Sequence, residues 1–139
     1  MPATQSRKMF VNLPVKDLDR SVEFFTALGF TFDPRFTDAN ATCMLVGEDA
    51  YVMLLVTDMF TTFTTKEVAD ATTSTGAIIA VSAGSREEVD ELAEAALAAG
   101  ATPAGDPADH GFMYYRSFHD LDGHHWEVLW MDPAAAAGG

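Results

Sequence analysis

The chain has 139 residues, 48% hydrophobic and 21% charged, which suits one globular domain with a packed core and excludes a disordered or disulfide-stapled scaffold. Aspartate and glutamate outnumber lysine and arginine by 21 to 8, a net charge of −13, so nucleic acid and acidic membrane faces are repelled rather than bound. A cytoplasmic protein that neither spans nor lies on a membrane is expected: Cys43 is the single cysteine, the longest apolar runs such as Tyr51 to Val56 are strand-sized, and the start MPATQSRKMFVNLPVKDLDR does not read as a signal peptide.

Met9 to Val15 alternates as a strand, with Val11, Leu13 and Val15 on one face and Phe10, Asn12 and Pro14 on the other. Asp17 caps a helix whose apolar positions Leu18, Val22, Phe25 and Leu28 recur at helical spacing, and Gly29 stops it. Three β-rich segments follow, Phe30 to Thr37, Ala41 to Val46 and Tyr51 to Thr57, separated by the polar turns Asp38-Ala39-Asn40 and Gly47-Glu48-Asp49. Residues 58–75 read as a connection with one helical turn near Lys66 to Ala71. The order then restarts: a strand over Ala77 to Ser82, an S-x-x-E capping box at Ser85 to Glu88, a helical stripe of Val89, Leu92, Ala93 and Ala96 ending at Gly100, and strands over Ala101 to Ala104, Phe112 to His119 and His124 to Met131. Two βαβββ modules, about 9–57 and 76–131, are therefore offset by roughly seventy residues within a single domain, and 132–139 is a flexible tail.

Two motifs carry a resemblance. V-x-D-L-x-x-S-x-x-F-F-x-x-L-G-F runs through Val15, Asp17, Leu18, Ser21, Phe24, Phe25, Leu28, Gly29 and Phe30, and D-x-D-G-x-x-W-E-V ends the chain through Asp120, Asp122, Gly123 and Glu127. With the duplicated βαβββ order, the sequence resembles the vicinal oxygen chelate superfamily: glyoxalase I, extradiol dioxygenases, fosfomycin-resistance transferases and bleomycin-binding proteins. The resemblance implies an α+β fold of tandem βαβββ modules, a curved mixed-sheet cup with helices on its outer face. It also implies a small-molecule pocket, where many members hold a divalent metal through His, Gln and Glu. In this sequence the first-strand ligand position falls on Phe10, the fourth-strand position near Met53 or Leu54, and the one opening the second module on Ala77; Glu127 alone matches. A divalent metal would have an incomplete set of its usual ligands, which argues against metal-dependent dioxygenase chemistry, and no other cofactor is indicated.

Alternation in the last strand puts His125, Glu127, Leu129 and Met131 on one face and His124, Trp126, Val128 and Trp130 on the other. If Glu127 faces the cup, so does His125. The pair supplies acid–base chemistry, or two ligands of a rebuilt metal site with His110 or His119 as a third; alternatively, its members hydrogen-bond each other or the wall. In Asp109 to Arg116, His110, Tyr114 and Arg116 are candidate substrate-binding groups; the other reading makes the tyrosines sheet aromatics and Arg116 a partner for nearby aspartates. Phe10 and Asn12 project together toward the pocket. A glyoxalase- or bleomycin-resistance-like protein is thus expected, acting as a lyase or isomerase on a small organic ligand. The alternative is a non-catalytic protein that sequesters an antibiotic or metabolite. Pairing into a homodimer is expected in either case.

Overall fold

In the computed structural model, which describes residues 6–138, the chain divides into two units, Met1–Val68 and Ala69–Gly139. The fold is α+β, with one mixed sheet in each unit.

In the first unit β1 (Met9–Val15) lies parallel to β4 (Ala50–Val56), which pairs antiparallel with β3 (Ala41–Gly47), and β3 with the short β2 (Thr31–Asp33). Register brings Val11, Val52, Met44 and Phe32 into one row and Leu13, Leu54 and Thr42 into the next. Leu13, Val15, Met44, Val52 and Leu54 are buried on this face, with Leu18, Phe24 and Phe25 of α1 (Leu18–Ala27) completing the core. Each such fully buried side chain contributes about 1.5–3 kcal/mol. Asp17 caps α1, its carboxylate accepting from the Arg20 amide. The β-rich segment Phe30 to Thr37 makes a shorter strand than its composition suggests: Pro34 has no N–H for the ladder, and Asp33 accepts from the Arg35 amide, turning the chain into one 3-10 turn over Pro34–Phe36. The helical turn placed near Lys66 to Ala71 lies earlier, as α2 (Thr57–Thr61). It packs on β1 and β4, whereas the Asp70 carboxylate and carbonyl accept from the residues after it to form a non-helical turn.

The second unit repeats the plan with β5 (Ile78–Ser82) parallel to β9 (His125–Met131), β9 antiparallel to β8 (Met113–His119), and β6 (Thr102–Pro103) and β7 (Ala108–Asp109) on the far edge of β8. Val89 and the small Ala93 and Ala96 of α3 (Arg86–Ala98) are buried together with Val128 and the large Trp126 and Phe118. This interlocking of small and large groups lets helix and sheet approach closely. Ser85 accepts from the Glu88 amide, as the capping box requires, and the Glu88 carboxylate returns to the amide of Gly84 rather than to the cap itself. Residues 132–139 were read as a tail; Pro133–Gly138 forms helix α4, and Gly139 and the opening residues Met1 to Gln5 lie outside the described residues.

Arg86 fixes the β7 edge to α3. Its guanidinium donates to both oxygens of Asp109 and to the Gly111 carbonyl, and lies over the Tyr114 and Trp130 rings at 5.4 and 5.0 Å. These donors hold the Asp109 carboxyl at about 2, against an ordinary 3.8. A lowered folded-state value means stability that is present above the ordinary pKa and lost as pH falls through the folded one. Chemical denaturation should therefore show stability falling between about pH 4 and pH 2, and Arg86→Met should flatten part of that slope; an unchanged slope removes the pair from the acid response. Asp120, whose pKa burial raises, acts with the opposite sign but is common to both proteins.

Candidate functional site

The two modules repeat the same strand register. Phe10 pairs with Tyr51 and Asp17 caps α1; Ile78 pairs with His125 and Ser85 caps α3, so β1 maps onto β5 and cap onto cap with the same offset, 78 − 10 = 85 − 17 = 68. Along the other strands the offset is 125 − 51 = 74, which makes Met53 the counterpart of Glu127, Tyr51 of His125, Leu45 of His119 and Cys43 of Ser117. The fourth-strand position is thus Met53 and not Leu54, which lies in the core facing α1. The position opening the second module is Ile78 and not Ala77, which precedes β5.

In the first unit, the sheet face away from α1 forms the floor of a cavity of about 490 Å³ walled by Lys8, Phe10, Asp33, Arg35, Phe36, Cys43, Tyr51 and Met53. Phe10 and Tyr51 stack with centroids 4.8 Å apart and planes 12° from parallel. Lys8 sits over the Tyr51 ring at 5.5 Å and Arg35 over Phe36 at 5.5 Å. Arg35 grips Asp33 through Nε and Nη2 at 3.1 and 2.8 Å, holding that carboxyl below the usual range. Burial pushes the Cys43 thiol up, so it serves as a packed wall group and not as a thiolate nucleophile.

The second unit presents a different face. His125 stands opposite His119 with rings edge to face at 5.3 Å, and the next cross-strand pair is Ser117 and Glu127. All four lie on the side away from α3, because Trp126, Val128 and Phe118 take the helix side. Among the described residues, His125 Nε2 is a buried nitrogen without a hydrogen-bond partner. Such a group costs about 1–3 kcal/mol if nothing satisfies it. His119 also lines a second cavity, about 410 Å³, with Thr72 to Thr75, Thr102, Leu121 and Gly123.

The strand alternation that assigns His125 and Glu127 to one face agrees with the register, and His124 lies in the turn, its amide donating to Asp120. His110 is exposed, on the same side as Tyr115, whose ring is 6.2 Å away. Tyr114 and Arg116 are on the opposite face: the Tyr114 hydroxyl donates to Asp90 of α3 at 2.6 Å, and Arg116 donates to Asp90 and Glu94 at 3.3 and 2.6 Å. The structure does not bring these two to Glu127, since strand parity and helix carboxylates take both polar ends. Phe10 lines the first unit's cavity. Asn12 does not; it is exposed and donates to the Phe10 carbonyl at 3.3 Å. Sequence reading missed Tyr51, Asp33, Arg35 and Phe36. The signal was Asp33-Pro34-Arg35-Phe36, where proline breaks a strand and turns an arginine and a phenylalanine back over the sheet.

Comparison with known proteins agrees with this architecture. A family model described as bleomycin resistance protein-like N-terminal matches residues 7–47. A hypothetical protein of S. aureus is 28% identical with a TM-score of 0.76, over 91% of this chain and 95% of that one. A glyoxalase/bleomycin resistance protein/dioxygenase from Nocardioides is 25% identical with a TM-score of 0.66, over 93% and 87%. A fosfomycin resistance protein from Listeria monocytogenes is 22% identical with a TM-score of 0.66, over 90% of each chain. The curated proteins give no match. The chain has the vicinal oxygen chelate fold. At the positions where the resemblance implies metal ligands the chain has Phe10, Met53, Ile78 and Glu127, of which the first three offer neither imidazole nor carboxylate and do not fit a divalent metal. Among the described residues, no three His, Cys, Asp or Glu side chains cluster as a metal site.

The second cavity depends on one glycine. Gly123 has φ +89°, and a Cβ there would lie 2.6 Å from the Ala71 carbonyl oxygen. Gly123→Ala should lower stability by about 1–3 kcal/mol and shift the NMR resonances of Thr72 to Thr75, leaving those of the first unit in place. Resonances that stay put would detach this segment from the turn.

Proposed function

We propose that the protein is a glyoxalase/bleomycin-resistance-like small-molecule-binding protein that works without the usual metal. The observation that carries this reading is the apolar cavity at Phe10 and Met53, where side chains that could hold a metal are replaced by side chains that line a pocket. Proteins of similar fold include resistance proteins, which supports the class of ligand. A second reading, lyase or isomerase chemistry, is favoured by one feature: the unsatisfied His125 Nε2 beside Glu127, where a bound ligand would supply the missing partner and Glu127 could exchange a proton with it.

Metal analysis and ligand screening separate these readings. The purified protein should hold less than about half an equivalent of zinc, nickel or iron. Metal near one equivalent that is lost in Glu127→Ala overturns the metal-free reading. In a thermal-shift screen against antibiotics and small organic acids, Phe10→Ala should weaken the response to a compound held in the first unit's cavity; a response lost instead in His125→Ala and Glu127→Gln, and kept in His124→Ala, favours the second reading. Turnover of a hit by wild-type protein but not by Glu127→Gln selects the enzyme; binding without turnover selects the sequestering protein.

A homodimer is part of the proposal. The edge strands β1 and β5 expose Met9 and Phe10, and Ile78, at 68%, 53% and 52%, and such apolar edges invite pairing. Sedimentation at micromolar concentration should give twice the 15.0 kDa chain mass; a lone monomer refutes it.

A further inference from the structure

From the first unit's cavity we infer the class of ligand it takes: a planar aromatic ring carrying an anionic oxygen group, an aromatic carboxylate being the simplest case. The inference rests on the small-molecule reading of this pocket and narrows it. The ring is read from the walls. Phe10 and Tyr51 stack on each other, Phe10 is 53% and Phe36 58% exposed, and Met53 and Cys43 close the floor with soft apolar groups. A flat π-system can continue such a stack, where a puckered aliphatic ring makes less contact.

The charge is read from the rim. Of the five N–H donors of a guanidinium, Arg35 commits Nε and one Nη2 hydrogen to Asp33, and the cation rests on Phe36. Its side chain is nevertheless 78% exposed, so its Nη1 edge stays open while Asp33 fixes its orientation. Asp33 is only 13% exposed and has both oxygens taken by Arg35, so it presents little acceptor surface of its own. Lys8, 59% exposed, adds a second cation across the cavity, with one hydrogen on the Tyr51 oxygen at 3.2 Å and Asp49 at 3.7 Å. The rim therefore has a surplus of oriented donors. In a chain with 8 basic residues against 21 acidic ones, two of the basic residues stand at this one apolar cavity. Anchored guanidinium above aromatic surface is the arrangement that pairs with an oxyanion on a ring.

The test uses 2-naphthoate as probe, with 2-naphthylmethylammonium and cyclohexanecarboxylate as comparators, on the full chain, read by NMR titration. Saturable binding of naphthoate below about 1 mM is expected, with shifts centred on Phe10, Phe36 and Met53 and each comparator weaker by about tenfold. Arg35→Gln and Phe10→Leu should each weaken naphthoate about tenfold with unchanged melting behaviour, and Arg20→Gln, on α1, should not. Naphthylmethylammonium binding as tightly as naphthoate, or Arg35→Gln without effect, overturns the anionic assignment while leaving the pocket intact. Cyclohexanecarboxylate binding as well as naphthoate overturns the aromatic one. Absence of saturable binding by every probe removes both this inference and the reading of the cavity as a small-molecule pocket.

Discussion

The buried carboxylate of Asp120 sets which side chains the second unit presents on the face away from α3. One of its oxygens accepts from the amides of Asp122 and His124 at 2.9 and 3.0 Å, and the other from Trp126 Nε1 at 2.9 Å, while the Asp120 amide donates to the His124 carbonyl. The turn between β8 and β9 is thereby locked, and Trp126 is pinned on the helix side, 1% exposed. Strand side chains alternate with period two, so a slip of one residue would exchange the faces: Trp126 and Val128 would be turned out and His125 and Glu127 driven against Ala93 and Ala96. Desolvation raises the pKa of Asp120, a cost offset by three donors pointing at it. The D-x-D-G-x-x-W-E motif thus couples a turn to the facing of the strand after it, its Asp and Trp fixing the side on which Glu127 lies.

The same scaffold, used twice, carries two chemistries. Equivalent positions hold Tyr51 and His125, Met53 and Glu127, Leu45 and His119, Cys43 and Ser117. The helix-facing rows stay apolar in both units, since each must bury its face against a helix. The open rows carry no such constraint and have diverged: apolar and aromatic with cations at the rim in the first unit, imidazole, hydroxyl and carboxylate in the second. Folding constrains one face of each sheet and leaves the other to function.

This division also explains what could be read from the chain in advance. Both helices, their caps at Asp17 and Ser85, and the central strands follow from periodicity, because burial writes period 2 and period 3.6 directly into the residues. The pairing of His125 with Glu127 follows from alternation alone. What alternation could not supply is which face receives a helix. The residues alone leave Tyr114 and Arg116 open between a substrate-binding reading and one in which acidic neighbours hold them, and Asp90 and Glu94 of α3 take both polar ends, a tertiary fact that alternation does not reach. Arg35 was hidden for the opposite reason: a β-rich window around it masks a turn made by Pro34 and by the Asp33 side chain. His119 becomes a neighbour of His125 only through the β8–β9 register, six residues apart in sequence and directly opposite in space.

On the proposed metal-free reading, aromatic and aliphatic groups in place of metal ligands change the terms on which a ligand is recognised. A metal fixes two oxygens of a ligand by direct bonds. An apolar cavity instead gains from area, about 25 cal/mol per Å² removed from water, and distinguishes neighbours differing by one methylene by only about 1–3 kcal/mol. Sharp discrimination must then come from the few polar groups that a wrong ligand would leave unpaired. In the first unit those are the open edge of Arg35 and the ammonium of Lys8; in the second, His125 Nε2 is already unpaired within the described protein. On the proposed reading, the apolar floor tolerates variety and selectivity is confined to these few polar groups.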